Sequence, residues 1–279
     1  MILITGATGN VGKELTRQLL EAGQPLRILT RNPGKAASFN GHLEIAVGDL
    51  DDPETIPIAL EGIDKLFLVT VSTTQDASVL RGAKSAGVGQ VVKLSTFEAV
   101  DPGMTEHVKW HHEREELIRA SGLAWTFLRP TMFMSTALDW AKTIREESVF
   151  HFPGGDGKVP AVDPWDVAAV AAAALTEAGH EYKAYALTGP EALSFRQMAE
   201  ILGKVLGRPI RYVDMPEAEA GEMMRRVGLP DYVVNGLVQT FTVLRSGRLG
   251  YTTADVERVT GRPARSFEAW CCEHIAEFQ

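Results

Sequence analysis

Short apolar runs alternate with amphipathic stretches through the first half of the chain. Strands are predicted at residues 2–5, 26–30, 43–47, 65–69, 90–94 and 125–128. Most of these runs are continuous Val, Ile and Leu, as in strands that are buried on both faces of a sheet. Helices are predicted between them at residues 11–22, 53–60, 77–86 and 106–120. This alternation predicts a doubly wound parallel α/β sheet of the Rossmann type.

The alternation changes after about residue 131. A turn at residues 153–158 is predicted between two short strands, and an alanine-rich helix and a strand are predicted at residues 163–178 and 183–187. Ser194 and Gln197 match a capping box for a helix that runs to residue 206. Later helices are predicted at residues 217–227, 232–244 and 267–278. We therefore expect a Rossmann domain at residues 1–150, to which residues 160–190 return, and a smaller, mostly helical C-terminal lobe at residues 191–279.

Composition restricts the class of partner. The 279 residues carry a formal net charge of −8, which argues against nucleic acid or an anionic membrane as the main partner. The longest apolar run, residues 167–175, is about half the length that a membrane-spanning helix needs. Cys271 and Cys272 are adjacent and have no third cysteine to pair with, so we expect reduced thiols and a cytoplasmic protein. The N-terminus has no basic segment of a signal peptide.

A glycine-rich segment joins the first predicted strand to the first helix. Gly6 permits a sharp turn out of the strand, Gly9 lets the backbone approach a pyrophosphate, and Gly12 allows close packing of the helix. The helix N-terminus then offers N–H groups and a positive dipole end to an anion. The segment predicts a dinucleotide site with these contacts: Gly6, Thr8, Gly9, Asn10, Val11 and Gly12.

The end of the second strand indicates which dinucleotide is bound. NAD-binding proteins of this fold carry an acidic residue there, but this chain reads Leu29-Thr30-Arg31-Asn32-Pro33. Arg31, with Lys35 nearby, is suited to hold a 2′-phosphate. NADP(H) is therefore the predicted cofactor, although a solvated arginine in a loop is the alternative.

Further candidates follow the later strands, at the edge of the sheet where ligands bind in open α/β folds. The spacing of Gly6, Gly9 and Gly12 resembles the short-chain dehydrogenase/reductase superfamily, and that resemblance implies that Asp49 and Leu50 contact the adenine. Asp49 could equally be a signal for the start of the next helix. The other predicted cofactor contacts at this edge are Thr70, Val71, Ser72, Ser95 and Pro130.

The Tyr-x-x-x-Lys pair of tyrosine-dependent reductases is absent. None of the five tyrosines lies between residues 90 and 128. The G-x-x-G-x-x-G spacing resembles the extended and atypical branch of the short-chain dehydrogenase/reductase superfamily. Together with Arg31-Asn-Pro-x-Lys35, His111-x-x-x-Glu115 and Gly154-Gly-Asp-Gly-Lys158, it makes the chain similar to NmrA-like proteins, among them NADPH-dependent quinone oxidoreductases and triphenylmethane-dye reductases. That family also contains cofactor-binding transcriptional regulators.

The resemblance implies direct hydride transfer to an electrophilic acceptor, without a flavin and without that tyrosine. His111 is the candidate proton donor because histidine titrates near neutral pH, and a surface histidine is the alternative. His107 and His112 are expected to be solvated, and no metal site is expected. The residues predicted to contact a flat aromatic substrate are Phe97, Met132, Phe133 and Trp140, which would equally suit the interior of the lobe.

Two functions follow from these observations. The first is an NADPH-dependent oxidoreductase that transfers hydride to a quinone or a similar conjugated small molecule, acting as a monomer or homodimer. The second is a non-catalytic NADP(H)-binding redox sensor that acts through a protein partner. A sugar-nucleotide isomerase or epimerase is disfavoured, because that chemistry usually uses the missing tyrosine.

Overall fold

The computed structural model describes residues 1–39, 43–101 and 103–279. The strands in this part of the chain are β1 (Ile2–Thr5), β2 (Leu26–Thr30), β3 (Leu43–Val47), β4 (Lys65–Leu68), β5 (Gln90–Leu94), β6 (Ala124–Pro130), β7 (Val149–Phe152), β8 (Lys158–Val159), β9 (Lys183–Leu187), β10 (Leu193–Ser194) and β11 (Arg211–Asp214). The α-helices are α1 (Asn10–Glu21), α2 (Thr55–Leu60), α3 (Thr73–Ala86), α4 (Glu106–Ser121), α5 (Ala141–Glu147), α6 (Pro164–Thr176), α7 (Phe195–Leu206), α8 (Glu217–Arg226), α9 (Asp231–Arg245), α10 (Asp255–Thr260) and α11 (Phe267–Glu273). The 3-10 helices are Pro33–Ser38, Phe97–Val100, Met134–Trp140 and Ile275–Phe278.

The described residues form two compact units. The first comprises Met1–Thr96, His111–Arg129 and Pro164–Ala186, and the second comprises Phe97–Trp110, Pro130–Asp163 and Leu187–Gln279. This division differs from the predicted boundary at residue 150, because residues 97–110 and 130–163 pack with the C-terminal elements. The predicted return of residues 160–190 to the first domain corresponds to α6 and most of β9.

The first unit is built on a seven-stranded sheet in the order β3-β2-β1-β4-β5-β6-β9. The pairings among β1 to β6 are all parallel. The chain begins in the middle of the sheet and builds outward on one side of β1 and then on the other. The order therefore reverses between β1 and β4, the position at which open α/β sheets bind ligands. The predicted doubly wound parallel sheet is confirmed.

Burial differs between the centre and the edge of the sheet. Every residue of β1 is buried, as its continuous apolar sequence predicts. The strand β3 differs, because Ile45 and Val47 are exposed at the edge of the sheet. The alanine-rich α6 is buried over most of its length and packs against α1, where Gln18 Nε2 donates to the Trp165 carbonyl at 3.1 Å. Small side chains on α6 allow that close packing.

The second unit has a largely helical C-terminal region, as predicted. The strands β7 and β8 flank the glycine-rich turn, but each pairs with a later strand, β7 with β11 and β8 with β10. The capping box of α7 is present, with Ser194 and Gln197 bonded reciprocally. The last predicted helix is interrupted, because α11 ends at Glu273 and a 3-10 turn follows. The elements of this unit that were not predicted are the 3-10 helices Phe97–Val100 and Met134–Trp140, the helices α5 and α10, and the strands β10 and β11.

Candidate cofactor site

The turn after β1 is fixed to the neighbouring β4. The Thr5 hydroxyl accepts a hydrogen bond from Val69 N at 2.7 Å. Gly6 follows with a φ of +66°, in the left-handed region that favours glycine, and a Cβ at this position would lie 3.0 Å from the Val69 Cβ. Gly9 N then donates to the Gly6 carbonyl at 3.0 Å and closes the turn. The turn therefore lies at the reversal point of the strand order.

Gly12 allows the first helix to begin directly against this turn. A Cβ on Gly12 would lie 2.1 Å from the Gly6 carbonyl oxygen and 2.9 Å from the Ala7 Cα, which are distances that real Cβ atoms do not show. Sequence reasoning assigned Gly12 to packing of the helix on the sheet. The structure shows more specifically that its missing side chain makes room for the backbone of the turn.

The start of α1 presents polar backbone at the surface. Thr8, Gly9 and Asn10 are exposed, whereas the Val11 side chain is buried, so Val11 could contact a ligand only through its backbone. The first turn of α1 carries no acidic residue, so no side-chain charge there offsets the positive end of the helix dipole or repels an anion. An exposed glycine at the N-cap and this dipole fit the pyrophosphate of a dinucleotide.

Arg31 and Asp49 lie together at the ends of β2 and β3. Arg31 Nη1 is 3.8 Å from Asp49 Oδ2, and the arginine side chain is 77% exposed. The other oxygen of Asp49 accepts the Asp51 N–H at 3.1 Å, so this carboxylate also stabilises the loop that leads to α2. Exposed ion pairs of this kind are weak. Arg31 can therefore exchange Asp49 for a phosphate at little cost, and the exposed Lys35 lies one turn further along the chain.

A groove of about 490 Å³ adjoins Leu50 and the start of α3. Its lining residues are Leu50, Asp51, Pro53, Thr73, Thr74, Ala77, Ser78, Arg81 and Leu117. Leu50 is half-buried and packs against the hydrophobic core of the first unit. The groove therefore provides space beside the residues predicted to contact the adenine.

The segment after β4 uses its polar side chains internally. The buried Thr70 hydroxyl donates to Asp76 Oδ1 at 2.5 Å and accepts from Lys93 Nζ at 2.9 Å and from Arg114 Nη2. The Ser72 hydroxyl caps α3 by accepting from Gln75 N at 3.1 Å. Sequence reasoning missed Asp76, Lys93 and Arg114, although a lysine inside the apolar run of β5 was a signal that could have indicated them.

A second buried network surrounds Ser95. Its hydroxyl donates to Glu115 Oε1 at 2.6 Å, and Arg129 Nε donates to the same oxygen at 2.9 Å. Arg119 Nη2 donates to Glu115 Oε2 at 3.0 Å. The glutamate of the His111-x-x-x-Glu115 motif therefore ties α4 to the ends of β5 and β6. Pro130, the last residue of β6, is buried.

The three histidines of α4 have different surroundings. His111, the candidate proton donor, is half-buried, and His112 lies 3.8 Å from Glu116. His107 is less solvated than expected: it is half-buried, and a Cβ on Gly236 of α9 would lie only 3.1 Å from the His107 Cβ. Burial lowers the pKa of His107, which favours its neutral form.

Within residues 1–39, 43–101 and 103–279, no group of three or more His, Cys, Asp and Glu side chains could hold a metal ion.

The predicted substrate residues lie in the second unit in unequal environments. Trp140 belongs to the hydrophobic core, stacked on Phe150 with ring centroids 4.1 Å apart, so the interior alternative describes it. Met132 and Phe133 are half-buried. Phe97 is buried beneath Tyr251, with ring centroids 4.9 Å apart.

Tyr251 was not predicted and is 51% exposed. Burial of part of the ring, with a contribution from Glu98, raises the pKa of its phenol, so the hydroxyl is protonated at neutral pH.

No helix in the described ranges combines the length and apolar character that crossing a membrane requires.

These features define a Rossmann-type dinucleotide-binding protein. They are the glycine turn, its location at the reversal point of the strand order, and the exposed N-terminus of α1 with the positive end of its dipole. The chain belongs to the NAD(P)H-binding family, whose model matches residues 6–178. It is 38% identical over 283 residues to an NAD(P)H azoreductase of Xenophilus azovorans, an alignment that covers 100% of this chain and 99% of that protein.

Solved structures show the same similarity over nearly the whole chain. The NADPH complex of an NADPH-dependent quinone oxidoreductase from Escherichia coli superposes with a TM-score of 0.86 at 30% identity, covering 99% of this chain and 100% of that one. The NADP(H) complex of a triphenylmethane reductase from Citrobacter sp. gives a TM-score of 0.83 at 26% identity, with coverage of 98% and 99%. These matches confirm the resemblance to quinone and dye reductases.

Proposed function

We propose that this protein is an NADPH-dependent reductase of quinones, azo dyes or similar conjugated compounds. The observation that carries the proposal is the glycine turn at the reversal point of the sheet, in a chain that matches such reductases over its full length. No observation favours the redox-sensor alternative.

The residues present fit a chemistry in which the acceptor supplies the reactivity. Bound NADPH supplies a hydride from the nicotinamide, and a quinone or azo group that takes it up needs one proton to give the hydroquinone or hydrazo product of that two-electron step. The chain lacks the Tyr-x-x-x-Lys pair on α4. The task of the protein is therefore to hold donor and acceptor at reacting distance, with His111 as the proposed source or guide of the proton.

We assign the NADPH preference to Arg31, which faces solvent and holds a weak ion pair with Asp49. Its planar guanidinium can bind a 2′-phosphate in a bidentate manner. For the acceptor we propose contact with the aromatic pair Phe97 and Tyr251, since the exposed tyrosine ring offers a flat face to a conjugated molecule. Both cysteines are free thiols, which supports a cytoplasmic location.

The test is NADPH oxidation, followed by absorbance, with quinones, azo dyes and triphenylmethane dyes as acceptors. A Gly9→Val variant should lose turnover, because its side chain would occupy the path of the pyrophosphate. The backbone at Gly9 is extended, as valine prefers, but its Cβ would lie 3.3 Å from the Gly6 carbonyl oxygen, so circular dichroism should first show that the variant is folded. Lys84→Met on the exposed side of α3 is the control and should keep full activity. Tight NADPH binding without turnover on any acceptor would overturn the proposal in favour of the sensor.

A further inference from the structure

A charged cluster lies in the interior beneath the segment from Thr70 to Ser72. Asp76 comes from α3, Lys93 from β5 and Arg114 from α4, and each is at most 1% exposed. Buried ion clusters are commonly no more stabilising than apolar side chains of similar volume, because the desolvation of each charge is costly. Stability alone therefore does not explain the cluster.

The hydrogen bonds of the cluster converge on one hydroxyl. Thr70 Oγ1 accepts from Lys93 Nζ and from Arg114 Nη2, and it donates to Asp76 Oδ1. Arg114 Nε also donates to Asp76 Oδ2. A hydroxyl has one donor and two acceptor positions, so that of Thr70 is fully used. Thr70 cannot offer this hydroxyl to a cofactor and can contact one only through its backbone.

The rest of the segment is anchored from the other side. Val71 N donates to Gln75 Oε1 at 2.8 Å, and Gln75 Nε2 donates to Asp51 Oδ1 at 2.7 Å. Ser72 caps α3. This segment follows β4, directly across the reversal point from the glycine turn, and Val69 links the two through Thr5. Its backbone is therefore fixed at a wall of the cofactor site.

We propose that Lys93 and Arg114 are positioning residues, which act through the Thr70 hydroxyl to hold the Thr70–Ser72 backbone in the conformation that receives NADPH. This inference rests on the proposed binding of NADPH. Hydride transfer itself does not need the two buried cations Lys93 and Arg114. Under this proposal their role is in binding the cofactor.

Lys93 gives this arrangement a pH response. Burial lowers the pKa of Lys93 to about 7; the nearby Asp76 opposes that change, Arg114 adds to it and Glu115 opposes it. Glu115 is itself paired with Arg119 and Arg129. Loss of the proton turns a charge-assisted hydrogen bond to Thr70 into a weaker neutral one. Affinity for NADPH should therefore fall as the pH rises through 7.

The test measures the NADPH dissociation constant by fluorescence at pH 6 and pH 8.5. The variants are Lys93→Met, Thr70→Val, the conservative Thr70→Ser, and Lys84→Met as a surface control. Between pH 6 and pH 8.5, wild type, Thr70→Ser and Lys84→Met should lose several-fold more affinity than Lys93→Met and Thr70→Val do. Lys93→Met and Thr70→Val should bind about tenfold more weakly than wild type at pH 6 and lose that part of the pH response. Titration of the NADPH phosphate is common to all variants and cancels in the comparison.

The outcomes separate the two proposals. Wild type that does not bind NADPH would overturn the proposed function itself. Equal affinities and pH responses in all variants would overturn the positioning role. A weaker Thr70→Val that keeps the full pH response would make Thr70 a direct ligand and would also overturn it. If circular dichroism shows that Lys93→Met is unfolded, the contrast between Thr70→Val and Thr70→Ser decides.

Discussion

Replacing Gly12 by alanine tests the packing of the glycine turn most directly. The new Cβ would lie 2.1 Å from the Gly6 carbonyl oxygen and 2.9 Å from the Ala7 Cα. Both neighbours are backbone and cannot rotate away, so the helix and the turn must separate by roughly 1 Å before the contact becomes acceptable. Overpacking of this kind costs about 3 kcal/mol, and the better helix propensity of alanine offsets about 1 kcal/mol. We expect a net loss of about 2 kcal/mol in the free energy of unfolding.

The same displacement should weaken cofactor binding, because it moves the helix N-terminus away from the pyrophosphate position. A misplacement of about 1 Å can reduce the function of such a site on the order of 100-fold. Urea unfolding and NADPH titration of Gly12→Ala measure the two effects separately.

Two matched variants control this experiment. Gly9→Ala places its Cβ 3.3 Å from the Gly6 carbonyl oxygen, a tight contact that a shift of a few tenths of an ångström relieves, so it should lose much less stability than Gly12→Ala but bind NADPH weakly. Gly23→Ala has a φ of +67° and no atom within 4 Å, so it should lose about 1 kcal/mol and bind NADPH normally. Gly12→Ala with the stability and affinity of wild type would refute the reasoning. A Gly23→Ala variant that binds as weakly would show that affinity follows stability alone.

Four further predictions concern single side chains. Arg31→Ala should weaken NADPH binding at least about tenfold and leave NADH binding unchanged; equal losses for both would contradict the assignment. His111→Ala should lower kcat about 100-fold without changing the NADPH dissociation constant, whereas an unchanged kcat would indicate a proton from water. Tyr251→Ala should raise the KM for the acceptor and leave the KM for NADPH unchanged. Steady-state kinetics measure both constants, with Tyr251→Phe as the control variant. The unfolded chain holds the Lys93 proton up to its usual pKa of 10.5 and the folded chain only up to about 7, so the unfolded state binds more protons between these values. Urea unfolding should therefore show wild type gaining up to about 1.4 kcal/mol per pH unit above pH 7 relative to Lys93→Met, and parallel profiles would contradict this.

Local pattern was sufficient for the framework of the first unit. The strands β1, β2, β3, β5 and β9 have the predicted bounds, and β4 and β6 differ from them by at most two residues at an end. A continuous apolar run between turn residues depends little on distant neighbours, because burial on both faces of the sheet accepts any apolar side chain. The glycine turn was equally local, since its three glycines are constrained by one another.

The second unit followed local pattern less closely. Trp140 was a candidate for an open substrate wall but is stacked within a core that joins Phe150 and Phe195. Trp140 lies in a 3-10 helix that is followed by the short α5. The hydrophobic periodicity of both helices is weak in the sequence, because so few turns do not establish a helical period. The division of the chain also depended on packing, since residues 97–110 and 130–163 join the C-terminal elements.

The sequence by itself determined the parallel sheet, the glycine turn and the arginine at the end of β2, because each depends on residues within a few positions of one another. Only the tertiary structure decided that Thr70 is an anchor and not a free hydroxyl. Asp76, Lys93 and Arg114 lie on three different elements, and their charges meet only when α3, β5 and α4 pack together. The spacing of these residues along the chain does not predict that contact, since a buried charge is tolerated only where distant partners satisfy it.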